Sequence, residues 1–184
     1  MIAVKRATYD DLLALPEHQV GQIIDGELIV QPRPASPHAQ ATTELTSLLV
    51  PPFRRGRGGP GGWVILGEPE LHLGDDVLVP DLAGWRRERM PELPEVPYFS
   101  LEPDWLCEVL SPSTAKLDRT KKLATYAKER VPHVWLVDPE AKTLEVLRLE
   151  GSRYSILATF ADEPLVRAEP FDAIELELPL LFTR

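Results

Sequence analysis

Apolar positions in this chain fall into short runs, and the sharpest of them bracket residues 104 to 139. Asp104-Trp105-Leu106-Cys107-Glu108-Val109-Leu110 reads as a buried strand, because aromatic, aliphatic and β-branched residues dominate it and Ser111-Pro112 stops the run. Side chains alternate along a strand, so Leu106, Glu108 and Leu110 share one face and Cys107 lies on the other. A carboxylate between two leucines on a central strand is costly to bury without a cation, a donor or a task. Glu108 is therefore the first candidate for function. The charged stretch from Thr114 to Glu129 predicts a helix packing through Leu117, Ala124, Tyr126 and Ala127, with Asp118 and Lys122 one turn apart. Val134 to Val137 is a wholly apolar strand closed by Asp138-Pro139. A strand–helix–strand unit thus occupies the centre, right-handed if its strands are parallel.

The flanking pattern is consistent with one mixed α/β domain. Residues 8 to 15 predict a short helix capped by Thr8. Val20 to Ile24 and Leu28 to Gln31 predict a hairpin around Asp25-Gly26-Glu27, since Asp-Gly tolerates positive φ. Ser36-Pro37 reads as an N-cap and first-turn proline of a helix through Leu49, which Pro51-Pro52 should end. Gly56 to Gly62 reads as a flexible connection, lacking the lysine and hydroxyl of a phosphate-binding loop. Trp63 to Leu66, Leu71 to Leu73 and Val77 to Trp85 predict strands, the last interrupted at Pro80-Asp81, with Val79, Asp81, Ala83 and Trp85 on one side. Residues 87 to 103 read as a surface excursion. Thr143 to Leu149 and Tyr154 to Thr159 predict a second hairpin, and Ile174 to Phe182 a tail docked on the sheet. No repeat, linker or second core interrupts 1–184, so a single domain is expected.

Composition narrows the options. No apolar run approaches the roughly 18 residues of a membrane helix, and the first six residues carry no leader-like apolar stretch, so a cytoplasmic protein without membrane association is expected. The histidines at 18, 38, 72 and 133 and the lone Cys107 show no zinc-ligand spacing. A net charge of −9 opposes a chain-wide attraction to nucleic acid. Basic residues nonetheless cluster at Arg54, Arg55 and Arg57, at Arg86, Arg87 and Arg89, and from Lys116 to Arg130.

Asp81 and Glu108, on neighbouring strands, form the kind of oxygen-donor pair a hard divalent cation uses; the Val109 carbonyl could complete the protein's share. A nearby lysine could orient or deprotonate water and offset negative charge. Metal-assisted phosphodiester hydrolysis is the matching reaction class. The alternative is a structural ion pair between these acids and a cation such as Lys122. Glu70, just before the Asp81 strand, is a further possible ligand. Asp118 can hold Lys122, and Tyr126 can pack with its hydroxyl bonded. Ser111 and Ser113 have no base nearby and are explained by strand termination and capping.

Several of these segments together resemble one family: Val79-Pro80-Asp81-Leu82-Ala83, Cys107-Glu108-Val109-Leu110-Ser111-Pro112-Ser113-Thr114, Asp118…Lys122…Tyr126 and Val134-Trp135-Leu136-Val137-Asp138-Pro139. They resemble motifs of the Uma2 (DUF820) family, assigned to the PD-(D/E)XK superfamily as restriction endonucleases. Ile24-Asp25-Gly26-Glu27-Leu28 and the helix start at Pro37-His38 fit as well, so the resemblance spans nearly the whole chain. It implies a restriction endonuclease-like core, a four-stranded mixed β-sheet flanked by helices. It also implies an endonuclease acting on DNA; Mg²⁺, with Mn²⁺ as substitute, is the ion expected for the acid pair, and a homodimer is expected because cutting both strands commonly uses two sites, one per subunit. Residue by residue, Asp81 is the motif aspartate and Glu108 the motif glutamate. The lysine expected two residues after the glutamate is replaced by Leu110; Lys122 on the next helix is the matching position and Lys121 the fallback. Glu27 and His38 also match family positions, with a hairpin acid and a capping or core histidine as the alternatives. Gln22 stands where an acid is expected. A nuclease fold retained as a nucleic-acid- or protein-binding module, and a structural homodimer with merely paired acids, are the competing readings.

Overall fold

The computed structural model describes residues 6–16, 18–31 and 35–183. The reading that no leader is present rests on the first six residues, and 1–5 lie outside the described residues. Thr8 caps helix α1 (Tyr9–Leu13) in a reciprocal box with Asp11. Strands β1 (Val20–Ile24) and β2 (Glu27–Gln31) form a hairpin whose two turn residues, Asp25 and Gly26, have φ of 54° and 79°. That is the positive-φ pair such a tight hairpin turn demands. With β5 (Asp76–Leu78) and β4 (Leu71–Leu73) they make a small antiparallel sheet in the order β2-β1-β5-β4.

The central sheet has six strands, two more than the minimal core: β3 (Trp63–Gly67), β6 (Leu82–Arg86), β7 (Trp105–Val109), β8 (His133–Asp138), β9 (Thr143–Glu150) and β10 (Arg153–Phe160). Their order is β10-β9-β8-β7-β6-β3, and only β7 and β8 run parallel. Between those two, a helical run crosses the sheet as α3 (Ala115–Leu117), a π-helical turn (Asp118–Lys122) and α4 (Leu123–Lys128). The architecture is the mixed sheet flanked by helices that the sequence predicts.

Alternation along the strands divides the core into two layers. Trp105, Cys107, Val109, Trp135 and Val137 face α2 (Ser36–Leu49) and the C-terminal segment, where β11 (Leu165–Val166) pairs with β12 (Leu176–Glu177). On this side Phe171, fully buried, packs against Phe53, Trp63, Trp105 and Trp135 with ring centroids 4.7 to 5.5 Å apart. Leu106, Leu110, Val134 and Leu136 face the opposite layer, built from Tyr126 and from Ile24, Leu71 and Leu78 of the small sheet. Glu108 lies on this second face.

Three elements depart from the sequence reading. Val77 to Trp85 is not one strand. β5 and β6 belong to different sheets, and Val79-Pro80-Asp81 carries the chain between them, because a proline has no N–H to continue a ladder. Asp81 therefore sits at a break rather than in phase with Ala83 and Trp85. In the crossing helix, the wide turn admits an extra residue and shifts the face that packs. Ala124 is consequently exposed, while Asp118, Lys122 and Thr125 turn inward. The N-cap of α2 is Ala35, one residue earlier than expected, and Pro51-Pro52 does not stop the helix but lies in a second π-helical turn, Val50–Arg54. Its wider spacing, with the Arg55 N–H bonded to the Val50 carbonyl, tolerates what an α-helix would not.

No helix among the described residues is long and apolar enough to cross a membrane. Phe171→Ala is expected to lower stability by about 3–5 kcal/mol, through lost burial and the cavity left among four aromatic rings. Urea denaturation followed by tryptophan fluorescence measures it; a loss under 1 kcal/mol, about that of a surface change, would contradict this packing.

Candidate functional site

Register brings the acids together. β6 and β7 pair Leu82 with Cys107, and one further step sets Asp81 opposite Glu108. β3 and β6 pair Gly67 with Leu82, so the same step sets Glu68 beside Asp81, and the Glu68 N–H donates to the Asp81 carbonyl at 3.0 Å. The link that carries Asp81 is pinned by Gln22, fully buried, whose Oε1 accepts from the Val79 N–H at 2.9 Å. Asp81 Oδ2 accepts from the Val109 N–H at 2.6 Å, and Oδ1 lies 3.0 Å from Nε2 of His38 on α2. In an extended strand a residue's N–H and C=O point to the same side, so Val109 turns its carbonyl toward Asp81 as well.

Glu108 is 2% exposed and Lys122 1%. The Lys122 ammonium donates to Glu108 Oε2 at 2.8 Å, and the Tyr126 hydroxyl donates to Oε1 at 2.5 Å. Lys122 Nζ also stands 3.2 Å from Asp118 Oδ1, as an ion pair across the π-helical turn. One floor below, the buried Asp76 carboxylate accepts from the Asp25 N–H and the Thr125 hydroxyl, tying the hairpin turn to the helix that presents Lys122. His38, Glu68, Asp81, Glu108, Asp118 and Lys122 line one cavity of about 260 Å³, with Ser111 to Thr114 at its lip.

Acids outnumber cations here. Burial pushes the Glu108 carboxyl up to about 8; Lys122 draws it down, and Asp118 and Asp81 push it further up. Burial works against the Lys122 cation, but Glu108 and Asp118 outweigh it and raise its pKa above the ordinary value. Lys122 is thus a fixed positive charge and not a base. For His38, too, burial works against the cation, and the bond to Asp81 and its charge raise the pKa overall. Burial, then the charge of Glu108, pushes the Tyr126 phenol up, so it remains a neutral donor.

The ion pair between Glu108 and Lys122 left open by the sequence is present, yet it leaves Asp81 and Glu68 without a full cation. Among the described residues, no group of three or more His, Cys, Asp or Glu side chains forms a ready metal cage. Magnesium does not require one: it uses one or two carboxylates and keeps several waters. Two carboxylates, a strand carbonyl and room for water suit such an ion, and surplus negative charge favours it.

Other sequence candidates lie elsewhere. Lys121 is ion-paired with Glu27 on the outer side of the helix, and neither residue lines the cavity. Glu70 accepts from the Tyr9 hydroxyl and pairs with His72, both at 2.8 Å, outside the cavity. A fourth acid that lines it, beside Asp81, Glu108 and Asp118, is Glu68, which the sequence pattern did not single out. Its only signal is the β3–β6 register, which no local pattern reveals. His38 neither caps its helix nor sits satisfied in the core: Nε2 reaches Asp81, and its buried Nδ1 has no partner among the described residues.

No curated protein matches the chain. A solved structure described as a "putative nuclease belonging to DUF820 from Anabaena variabilis ATCC 29413" superposes with a TM-score of 0.76, at 27% identity over 96% of this chain and 97% of that one. The family model Uma2, described as "Putative restriction endonuclease", matches residues 7–180. With fold, residue order and family model in agreement, the chain belongs to the Uma2 family.

Proposed function

We propose that the chain, working as one domain, is a metal-dependent endonuclease that hydrolyses phosphodiester bonds of DNA, with Mg²⁺ as its ion and Mn²⁺ as substitute. The observation that carries the reading is Lys122, 1% exposed and held between Glu108 and Asp118 in a cavity that Asp81 also lines. Asp81, Glu108 and the Val109 carbonyl would hold the ion, which supplies an acidified water and a Lewis acid toward phosphoryl oxygen. Lys122, kept protonated, orients the attacking water and offsets the charge that grows on the phosphate. Asp118 and Tyr126 fix the amine and the carboxylate; His38 fixes the Asp81 carboxylate. A homodimer in the cytoplasm would place one such site on each DNA strand.

A second reading keeps the nuclease fold as a nucleic-acid- or protein-binding module. Gln22 in place of an acid and the engagement of both Glu108 oxygens by Lys122 and Tyr126 favour it. Supercoiled plasmid with Mg²⁺ or Mn²⁺ separates the two. Wild type should nick it, and Glu108→Gln, which keeps the shape, should be slower by about 100-fold or more. Equal nicking by both would point to a contaminant, and no nicking over broad conditions would favour the binding module.

Two further outcomes follow from the charge balance. Glu108 has a folded-state pKa raised above its unfolded value, so the folded state binds the extra proton between the ordinary carboxylate range and about 8. The stability this contributes is full below that range and is lost as pH rises toward 8, at up to about 1.4 kcal/mol per pH unit. Urea denaturation of metal-free protein across this window should show the slope, and Glu108→Gln should flatten it. Manganese affinity should run the other way, rising with pH to about 8 and vanishing in Asp81→Asn; calorimetric titration reads both. Lys122→Met leaves Glu108 and Asp118 buried without a cation and should cost about 3–5 kcal/mol of stability. A change within 1 kcal/mol, about the worth of an exposed pair, would mean the amine is not the buried counter-ion.

A further inference from the structure

Beside the acidic cavity lies a larger one of about 650 Å³, and the two share Ala35, His38, Ser111 and Pro112. It opens beyond the carboxyl ends of β7 and β8, where Leu110 to Pro112 leaves one strand and Pro139 to Lys142 leaves the other. Crevices at that end of parallel strands are common ligand sites. Its size suits a small organic group such as a nucleoside, within the roughly 300–1,000 Å³ typical of ligand pockets. Half-buried Phe182, from the C-terminal segment, offers a ring on one wall. Exposed Lys142 offers a cation at the rim, beside the carboxylate of Glu140.

Glu108 and Lys122 are almost wholly buried and Ser111 to Thr114 line the same cavity, so a phosphate must reach inward to meet them, which favours one slender strand over a rigid duplex. A duplex also wants a broad cationic track, and the arginines of this chain are not placed to provide one. Arg86 and Arg87 stand at the far end of β6, opposite the end that carries Asp81; the Arg87 N–H bonds the carbonyl of Gly62, which closes the Arg-rich 54–62 segment. Near the site, Arg119 is paired with Glu145 and Lys121 with Glu27.

We propose that the two cavities form one cleft for a single unpaired DNA strand: the acidic cavity takes a backbone phosphate, and the larger one takes the neighbouring base against Phe182, with Lys142 on the next phosphate. The assignment of the acidic cavity rests on the nuclease reading, and the proposal narrows that reading to unpaired DNA. Aromatic stacking and a nearby cation are how single strands are held without regard to sequence.

The test is fluorescence anisotropy with a labelled single strand of about eight nucleotides, within the span one such site tracks, and with the duplex of the same sequence. Ca²⁺ replaces Mg²⁺ so that binding is read without cleavage. The single strand should bind at least about tenfold more tightly than the duplex. Phe182→Leu, which keeps the apolar bulk but removes the ring, should weaken single-strand binding about threefold to tenfold. Lys142→Asn should also weaken it and reduce the slope of log affinity against log salt by about 0.7. Asparagine is chosen because Lys142 has φ of 56°, which asparagine accepts. Equal binding of both DNAs, or binding unchanged in both variants, would overturn the cleft. Cleavage of the same labelled single strand with Mg²⁺ or Mn²⁺ separates the two ideas: if it is absent while the single-strand preference and both variant effects hold, the cleft stands and the nuclease reading falls. If cleavage persists with no strand preference, the reverse is true.

Discussion

A buried ammonium shared by two buried carboxylates governs the way this molecule is assembled. Lys122 sits between Glu108 on β7 and Asp118 on its own helix, all three almost completely removed from water. Desolvating those charges is tolerable only while the partners stay in register with one another. The helix cannot slide or turn without stranding an acid. The π-helical turn at 118–122 is the geometric consequence, because it points Asp118 and Lys122 into the cavity while Tyr126 still reaches the other oxygen of Glu108.

A second constraint joins the two sheets. The chain leaves the small sheet at Leu78 and enters the central one at Leu82, and the carboxylate of Asp81 closes that step by accepting from the Val109 N–H. Gln22 holds the link from the small sheet, and His38 holds Asp81 from α2. Asp81, a candidate ligand for an ion, is thus also a structural tie between β6 and β7. Glu108 is likewise both a candidate ligand and a bridge between strand and helix.

Position 110, two residues after Glu108, holds Leu110, 3% exposed and inside the apolar layer beneath the helix. One turn into the helix, Lys122 meets Glu108 and Asp118 together. Those acids keep it protonated, so it stands in the cavity as a fixed positive charge.

Local pattern alone was sufficient for much of this. Alternation in 104–110 placed Glu108 on one face with Leu106 and Leu110, Asp25-Gly26 marked the hairpin, and the order of short motifs identified the family. These features depend on neighbours within a few residues, where side-chain period and turn chemistry act directly. The registers of β3, β6 and β7 were decided only in three dimensions. They put Glu68 at the site while Glu70 bonds Tyr9 and His72, and they set Asp81 at a crossing between sheets rather than inside a strand. His38 reached Asp81 because α2 packs across the sheet, and Lys121 was drawn outward to Glu27 by the phase of the wide turn. Which charges meet depends on strand pairing and helix phase across long stretches of chain, and one residue of slip would have exchanged the partners.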